Sequence, residues 1–391
     1  MTEPIRVALV GCGNIALGFH IPAYLAADDR FRIVGIADPT PERLELGRVA
    51  AGLTPQQVHA DVADLLARED VDALDLCTPQ HLHRDVAVAA ARAGKHVLCE
   101  KPIAAVPADA EAMRAAAAEA GTVLAVVANY LFFPEVVALR RIIDSGELGE
   151  IRTARVDMLG VLDLPGAAGY RPAWRHDPAQ AGGGVLVDML HGVYLAEALL
   201  GARAERVSAF VDSATDGDAV DGIALCRLEA GRRVALVNIG WGVGQGGIAV
   251  EGDRGRAVAH YRADGTMPWA PFESLTVTTK SGTRTADLPM GAELEPLIAA
   301  SMRETVLDFA DAVAGGRAPV VDAAVARHIL EITVAAYASG ALGATVPLPL
   351  DGALFASGAS GLADIGVPED SFVRRRGLFG LSVPASSGIG G

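Results

Sequence analysis

Cysteine is scarce in this chain. The four residues Cys12, Cys77, Cys99 and Cys226 are widely spaced among 391, with no Cys-x-x-Cys pair, which leaves no paired-thiol metal or redox motif. They read as reduced packing residues, in keeping with the usual burial of free cysteine. Basic charge is also short: 33 Lys and Arg stand against 48 Asp and Glu, a formal net charge of −15. Such a balance repels nucleic-acid phosphates and anionic membrane surfaces, so neither is expected as a partner. The basic cluster Arg374-Arg375-Arg376 reads as a solvated patch. Hydrophobic residues make up 51%, yet no run reaches the roughly 18 uninterrupted apolar residues of a spanning helix. The leading residues lack the basic and apolar regions of an export signal, and no repeat of solenoid or propeller period is visible. A soluble, cytoplasmic protein is the expectation.

A length of 391 residues exceeds what one hydrophobic core usually serves, so two domains plus terminal material are expected. Over 5–129, short β-branched runs alternate with Ala-rich helical segments, the pattern of a parallel sheet built through crossovers. Strands are expected at 5–10, 32–37, 71–77, 95–99 and 123–128, with a short one near Val58. Helices are expected at 15–26, 41–51, 62–68, 82–93 and 108–120. After a helix at 134–145 the pattern turns to strands at 151–161, 207–212, 221–229, 232–241, 248–251, 257–261 and 274–279, several separated by glycine-containing turns. Two helices follow, at 293–313 and 323–339. The fold class is therefore α/β: a parallel-sheet domain at 1–129, then an α/β domain at 130–349 with a large, mainly antiparallel open sheet. The Gly- and Ser-rich remainder, 350–391, reads as a mobile tail, or as an arm toward a second subunit through Leu378-Phe379-Gly380-Leu381.

Gly11-Cys12-Gly13-Asn14-Ile15-Ala16 sits between the first strand and the first helix, a G-x-G-x-x-A fingerprint in the strand–turn–helix setting of a Rossmann dinucleotide site. Gly11 permits the tight turn, Gly13 lets the backbone approach a pyrophosphate, and Ala16 keeps helix and sheet close. Asp38, ending the second strand, is placed to accept hydrogen bonds from an adenosine ribose. Its charge would oppose a 2′-phosphate, so NAD is favoured over NADP. Arg43, close by, is the residue that complicates this choice.

Glu100-Lys101-Pro102 follows a later strand, where a lysine lies beside a nicotinamide rather than the phosphates. Oxidising a secondary alcohol needs a base on the hydroxyl while hydride leaves the carbon, and Lys101 is the first candidate. Residues 185–200 are apolar on nearly every face but contain Asp188 and His191. On one continuous helix a spacing of three would set these together, Asp188 orienting His191 and His191 relaying a proton. Tyr170, Trp174, Arg175 and His176 precede a glycine-rich stretch and would cover a substrate with an aromatic face. His81 and His83 form a His-x-His without nearby cysteines or a carboxylate cluster, so no metal is expected.

Taken together, residues 11–16, His20-Ile21-Pro22-Ala23, Cys77-Thr78-Pro79 with His83, Glu100-Lys101-Pro102, Ser145-Gly146-Glu147-Leu148-Gly149, and Trp174-Arg175 leading into Gly182-Gly183-Gly184 resemble the glucose–fructose oxidoreductase, inositol dehydrogenase and rhizopine-catabolism (Gfo/Idh/MocA) family. The resemblance spans about 5–349. It implies a Rossmann domain followed by an α/β domain whose sheet mediates contacts in a homodimer or homotetramer, with a sugar or cyclitol between the domains. It also implies that Thr78 and Pro79 line the cofactor, that His83 and Asn129 belong with them, and that Glu100 and Lys101 approach the reacting end. Members usually space the aspartate and histidine by four, whereas Asp188 and His191 are three apart. Leu131 stands where many members carry arginine, which disfavours an anionic substrate. An NAD-dependent sugar, glycoside or cyclitol dehydrogenase is thus the leading expectation. The alternatives are a sensing protein that kept the fold without turnover and an NAD-assisted glycoside-cleaving enzyme.

Overall fold

The computed structural model describes residues 3–161, 183–213, 220–242, 244–262 and 269–365. Tyr170, Trp174, Arg175 and His176 lie outside the described residues, as do Arg374-Arg375-Arg376 and the 378–381 segment.

The first sheet contains β1 (Ile5–Val10), β2 (Phe31–Ala37), β3 (Val58–His59), β4 (Ala73–Leu76), β5 (His96–Cys99) and β6 (Leu124–Val126). All pair in parallel, in the order β3-β2-β1-β4-β5-β6. Val7, Ala8 and Leu9 of β1 are fully buried, as are Leu74 and Leu76 of β4, because helices cover both faces. These helices include α1 (Ile21–Leu25), α2 (Pro41–Ala50), α3 (Val62–Leu66), α4 (His83–Arg92) and α5 (Pro107–Ala120). Pro107 opens α5 and Gly121, with φ +68°, closes it, as the residue types require. Strand order reverses between β1 and β4, the crevice where open α/β sheets take their ligands. Ahead of α1, the fingerprint helix contains a π-helical turn over Ala16–His20, which nothing in the apolar pattern announces.

After α6 (Pro134–Asp144) the second sheet begins with β7 (Ile151–Val161). Two helices, α7 (Val185–Asp188) and α8 (His191–Leu200), precede β8 (Arg206–Asp212), β9 (Ile223–Ala230), β10 (Arg233–Trp241), β11 (Gly246–Gly252), β12 (Gly255–Tyr261), β13 (Phe272–Thr279) and β14 (Gly282–Thr285). The chain then forms α9 (Leu294–Val313), α10 (Ala323–Leu342), β15 (Val346–Pro347) and α11 (Gly352–Ser357). The nine strands run β14-β13-β12-β11-β7-β10-β9-β8-β15. β7 and β10 pair in parallel and the other neighbours are antiparallel. The edge strands β14 and β15 escape the sequence pattern: the former is exposed at all four residues and the latter is a two-residue strand ending in proline, so neither alternates.

Two expectations are corrected. The apolar stretch 185–200 is not one helix but α7 and α8, separated at Met189 and Leu190. Part of the remainder beyond 349 is also ordered: α11 leads into a 3-10 stretch, and Leu354 and Leu362 are buried. From the second part of the chain, Met302, Val306 and Phe309 of α9 join the core of the first sheet. The rings of Phe31 and Phe309 stack at 6.4 Å, and Val126 N–H donates to Val321 O at 3.0 Å beside β6.

Where α6 begins, Glu135 is 1% exposed and accepts a hydrogen bond from Tyr261 Oη at 3.2 Å. Burial pushes its pKa up from 4.5 to about 7. The folded state therefore holds this proton more tightly, and the stability it contributes is complete below 4.5 and lost as pH rises through about 7. Glu135→Gln removes the penalty. The variant is expected to match the parent in urea unfolding at pH 4.5 and to exceed it at pH 8 by up to about 3 kcal/mol.

Candidate active site

The fingerprint turn has the geometry of a dinucleotide cradle. Gly11 has φ +93°, and a Cβ there would fall 2.7 Å from Cys77 O at the end of β4, so a side chain is excluded twice. A Cβ on Gly13 would meet nothing within 4 Å. Open space thus lies where a pyrophosphate approaches this turn. Asp38 accepts from Cys12 N through Oδ2 at 2.7 Å and from Thr40 N through Oδ1 at 2.8 Å, tying the turn to the start of α2. Burial, with Asp38 adding, pushes the Cys12 thiol up to about 12. It remains a neutral packing group. Arg43 lies on the turn rather than in solvent: Nε donates to Cys12 O at 2.9 Å and a terminal nitrogen reaches Asn14 Oδ1 at 3.4 Å.

Thr78 Oγ1 is buried without a hydrogen-bond partner among the described residues. Its methyl lies 3.2 Å from the Cβ position of Gly11. An orphaned hydroxyl beside the turn needs a polar ligand, and the open face at Gly13 has room for one. These residues fit a bound dinucleotide. Nearby, His83 Nε2 lies 2.8 Å from Thr78 O, and Nδ1 lies 3.1 Å from Pro102 O. Both ring nitrogens thus face main chain, and His83 staples the Thr78 loop to the Lys101 loop. Asn129 Nδ2 donates to Ser301 Oγ in α9 at 3.2 Å, anchoring the end of β6.

At the end of β5, Lys101 Nζ donates to the carbonyl of Asp188 at 2.5 Å and lies 3.9 Å from Asp188 Oδ1. Both side chains remain partly exposed, at 18% and 20%, at the mouth of the crevice. The break after α7 gives this arrangement, since it turns Asp188 toward Lys101. His191 opens α8, and its Nδ1 lies 2.7 Å from Tyr194 Oη. The group on that nitrogen is therefore a tyrosine hydroxyl, where the sequence suggested Asp188. Tyr194 Oη also accepts from Tyr130 N at 3.2 Å, which leaves its own hydrogen for Nδ1. The imidazole hydrogen is accordingly assigned to Nε2. The Tyr130 ring stacks on the imidazole at 4.0 Å, 11° from parallel. Burial, with the Lys101 charge adding, holds His191 well below the ordinary histidine value, so it is a neutral donor. Sequence reasoning missed Tyr130 and Tyr194. The i, i+3 spacing of His191 and Tyr194 at the start of an apolar helix was the available signal.

His20, Asp75 and Cys77 bring nitrogen, oxygen and sulfur atoms within 4.8 Å of one another below this site. The contacts are hydrogen bonds among buried groups: His20 Nδ1 to Asp75 Oδ2 at 2.7 Å and Cys77 Sγ to Asp75 Oδ1 at 3.8 Å.

Comparison with known proteins places the chain in a family. Residues 5–128 match the model of the oxidoreductase family with NAD-binding Rossmann fold, and residues 136–258 match that of the GFO/IDH/MocA C-terminal domain. The chain is 34% identical over 223 residues to a dTDP-3,4-didehydro-2,6-dideoxy-alpha-D-glucose 3-reductase of Actinomadura kijaniata, covering 56% of this chain and 63% of that relative. It is 32% identical over 225 residues to an inositol 2-dehydrogenase of Rhizobium meliloti, covering 56% and 62%. The chain thus spans about half the length of the curated relatives it matches. The crystal structure of an aldose-aldose oxidoreductase from Caulobacter crescentus complexed with glycerol superposes with a TM-score of 0.73 at 26% identity, covering 88% of this chain and 100% of that one.

Proposed function

From the premise that this chain belongs to the Gfo/Idh/MocA family of oxidoreductases, we propose that it is an NAD-dependent dehydrogenase or ketoreductase acting on a ring hydroxyl or ketone of a sugar, glycoside or cyclitol. The observation that carries this reading is Lys101 Nζ, held on the Asp188 carbonyl at the C-terminal edge of the parallel sheet. Relatives named for a deoxyglucose ketone and for inositol support the substrate class. Gly11, Cys12, Gly13, Asn14 and Ile15 would hold the dinucleotide, with Asp38, Thr78 and Pro79. Bound there, the nicotinamide supplies the hydride acceptor.

The proton is the protein's task. In its amine form Lys101 can donate one hydrogen to Asp188 O and still aim its lone pair at the substrate hydroxyl, whose proton it accepts as hydride leaves the carbon. In the reducing direction the ammonium returns that proton. Nε2–H of His191 offers a second donor to the same oxygen, and the hydroxyl of Tyr194 fixes its tautomer. The Asp188 carboxylate faces the Lys101 nitrogen, with Oδ1 3.9 Å from Nζ. Leu131 is buried and apolar, which suits an uncharged ring better than an acid.

A face of the second sheet that exposes apolar side chains among the described residues supports a homodimer or homotetramer. Phe210, Leu225 and Leu236 are 54%, 38% and 43% exposed on three adjacent strands, with Phe210 directly opposite Leu225. No helix among the described residues is long and apolar enough to cross a membrane, and a cytoplasmic location fits the cofactor pool this chemistry needs. The direct test adds NAD to purified protein with a panel of sugars, glycosides and cyclitols and follows reduced-nicotinamide absorbance. Turnover of at least one member is expected. Cofactor binding without turnover across the panel would overturn the assignment.

A further inference from the structure

A hydrogen-bonded chain that proton transfer does not use lies beneath the Lys101 turn. His20 is the last residue of the π-helical turn and is 0% exposed. Its Nδ1 meets Asp75 Oδ2 of β4 at 2.7 Å, and its Nε2 meets Glu100 Oε1 at 3.0 Å. The second Glu100 oxygen, Oε2, accepts the backbone N–H of Lys101 at 2.9 Å. Two strands are thereby joined through one imidazole, and the path ends on the main chain of the residue whose Nζ meets Asp188.

Proton counting shows how rigid this path is. A neutral imidazole has one N–H and one acceptor nitrogen. An acceptor nitrogen facing a bare carboxylate, with no water to intervene, would set two lone pairs against each other. Both contacts are satisfied by an imidazolium between two carboxylates, or by a neutral imidazole with one carboxyl protonated. The two arrangements contain the same number of protons and the same net charge of −1. Burial opposes the charged ring, yet Asp75 and its neighbours hold His20 well above the ordinary histidine value. Removing any member leaves buried polar atoms unpaired, which is costly. The π-helical turn, a feature common at functional sites, is what delivers His20 to this place.

We propose that His20 is a positioning residue for Lys101, acting through Glu100 to fix the Lys101 backbone so that Nζ is held at Asp188 and at the substrate oxygen. This rests on the proton-transfer role of Lys101 proposed above. Two substitutions separate the two halves of the clamp. In His20→Gln the amide nitrogen takes about the place of Nε2 and keeps the bond to Glu100. In His20→Asn it takes about the place of Nδ1 and keeps only Asp75. Displacing a reacting group by about 1 Å costs on the order of 100-fold, so kcat of His20→Asn is expected at least tenfold below that of His20→Gln, with substrate KM within about threefold in both.

A second readout needs no cofactor. The sequence contains three lysines, Lys95, Lys101 and Lys280. Lys95 Nζ is held by the carbonyls of Arg68 and Val71 at 2.7 and 2.9 Å, and Lys280 is exposed. Acylation of the cofactor-free protein, read by mass spectrometry, therefore reports each separately. Lys101 should label several-fold faster, relative to Lys280, in His20→Asn than in His20→Gln. Glu100→Ala cuts the same link from the other side, so it serves if His20→Asn does not fold, and it should speed Lys101 labelling likewise. Equal kcat and equal labelling in the two His20 variants, or losses that only follow Tm, would overturn the proposal. Lys101→Met distinguishes the two readings. Loss of turnover there alongside indistinguishable His20 variants rejects this inference alone, whereas retained turnover in Lys101→Met rejects the role of Lys101 and this inference with it.

Discussion

Lys101→Met is expected to lower kcat by about three orders of magnitude while NAD binding is retained. Methionine keeps most of the apolar stem and removes only the amine, so the crevice keeps its shape. On the proposed mechanism the loss is that of the proton acceptor in oxidation and the donor in reduction, a contribution of about 10²–10⁴ in rate. Lys101→Arg should do no better, because a guanidinium does not deprotonate and cannot accept the hydroxyl proton. Cofactor affinity should stay within about twofold, since the contacts proposed at Gly11, Gly13 and Asp38 do not involve the Lys101 amine. Steady-state turnover on an active panel member, with NAD binding followed by intrinsic tryptophan fluorescence, checks both halves. A loss of less than about tenfold would show that Lys101 is not the principal proton-transfer group. His191 would then be the candidate donor in the reducing direction, in which Nε2–H gives its hydrogen to the ketone oxygen.

The legible parts of this site are those that sequence-local physics fixes. The Gly11–Gly13 turn, Asp38 at the end of β2 and Lys101 at the end of β5 follow from strand ends, and strand ends follow from apolar runs. β1 coincides with its expected bounds, and α2, α5 and α6 lie within one residue of theirs. The partners of His20 were not legible, because Asp75 and Glu100 are 55 and 80 residues away and no period connects them. The break between α7 and α8 was hidden for a different reason. Residues 185–200 are apolar all round, so a helical pattern continues through Met189 and Leu190 whether or not the backbone does. The start of α7 is held by Asp221, which is distant in sequence. β14 was missed because it is exposed throughout, and β15 because two residues are too few to show a period.

Asp221→Ala is expected to have the largest effect on stability, about 4 kcal/mol by the loss of three buried hydrogen bonds to one carboxylate. Asp221 is 0% exposed just before β9. Oδ1 accepts from Gly184 N at 2.6 Å and from Tyr337 Oη of α10 at 2.6 Å, and Oδ2 accepts from Leu186 N at 2.9 Å. One side chain thus satisfies amides at the start of α7 that have no intrahelical partner, and it ties that helix to both β9 and α10. Alanine removes the carboxylate that accepts from all three of these buried donors. Asp221→Asn should lie between parent and alanine, because its amide nitrogen presents hydrogens where donors already point. Tyr337→Phe, which removes one hydroxyl and leaves the carboxylate in place, should cost about 1–2 kcal/mol. Urea unfolding of the three variants tests this ranking. A second consequence separates the anchor from a general loss of stability. Because α7 ends at Asp188, releasing its start frees the carbonyl that holds Lys101 Nζ, so the folded fraction of Asp221→Asn should lose kcat on the active substrate while its NAD affinity is unchanged. Loss of NAD affinity in equal proportion would place Asp221 in the general architecture instead of behind the proton-transfer group.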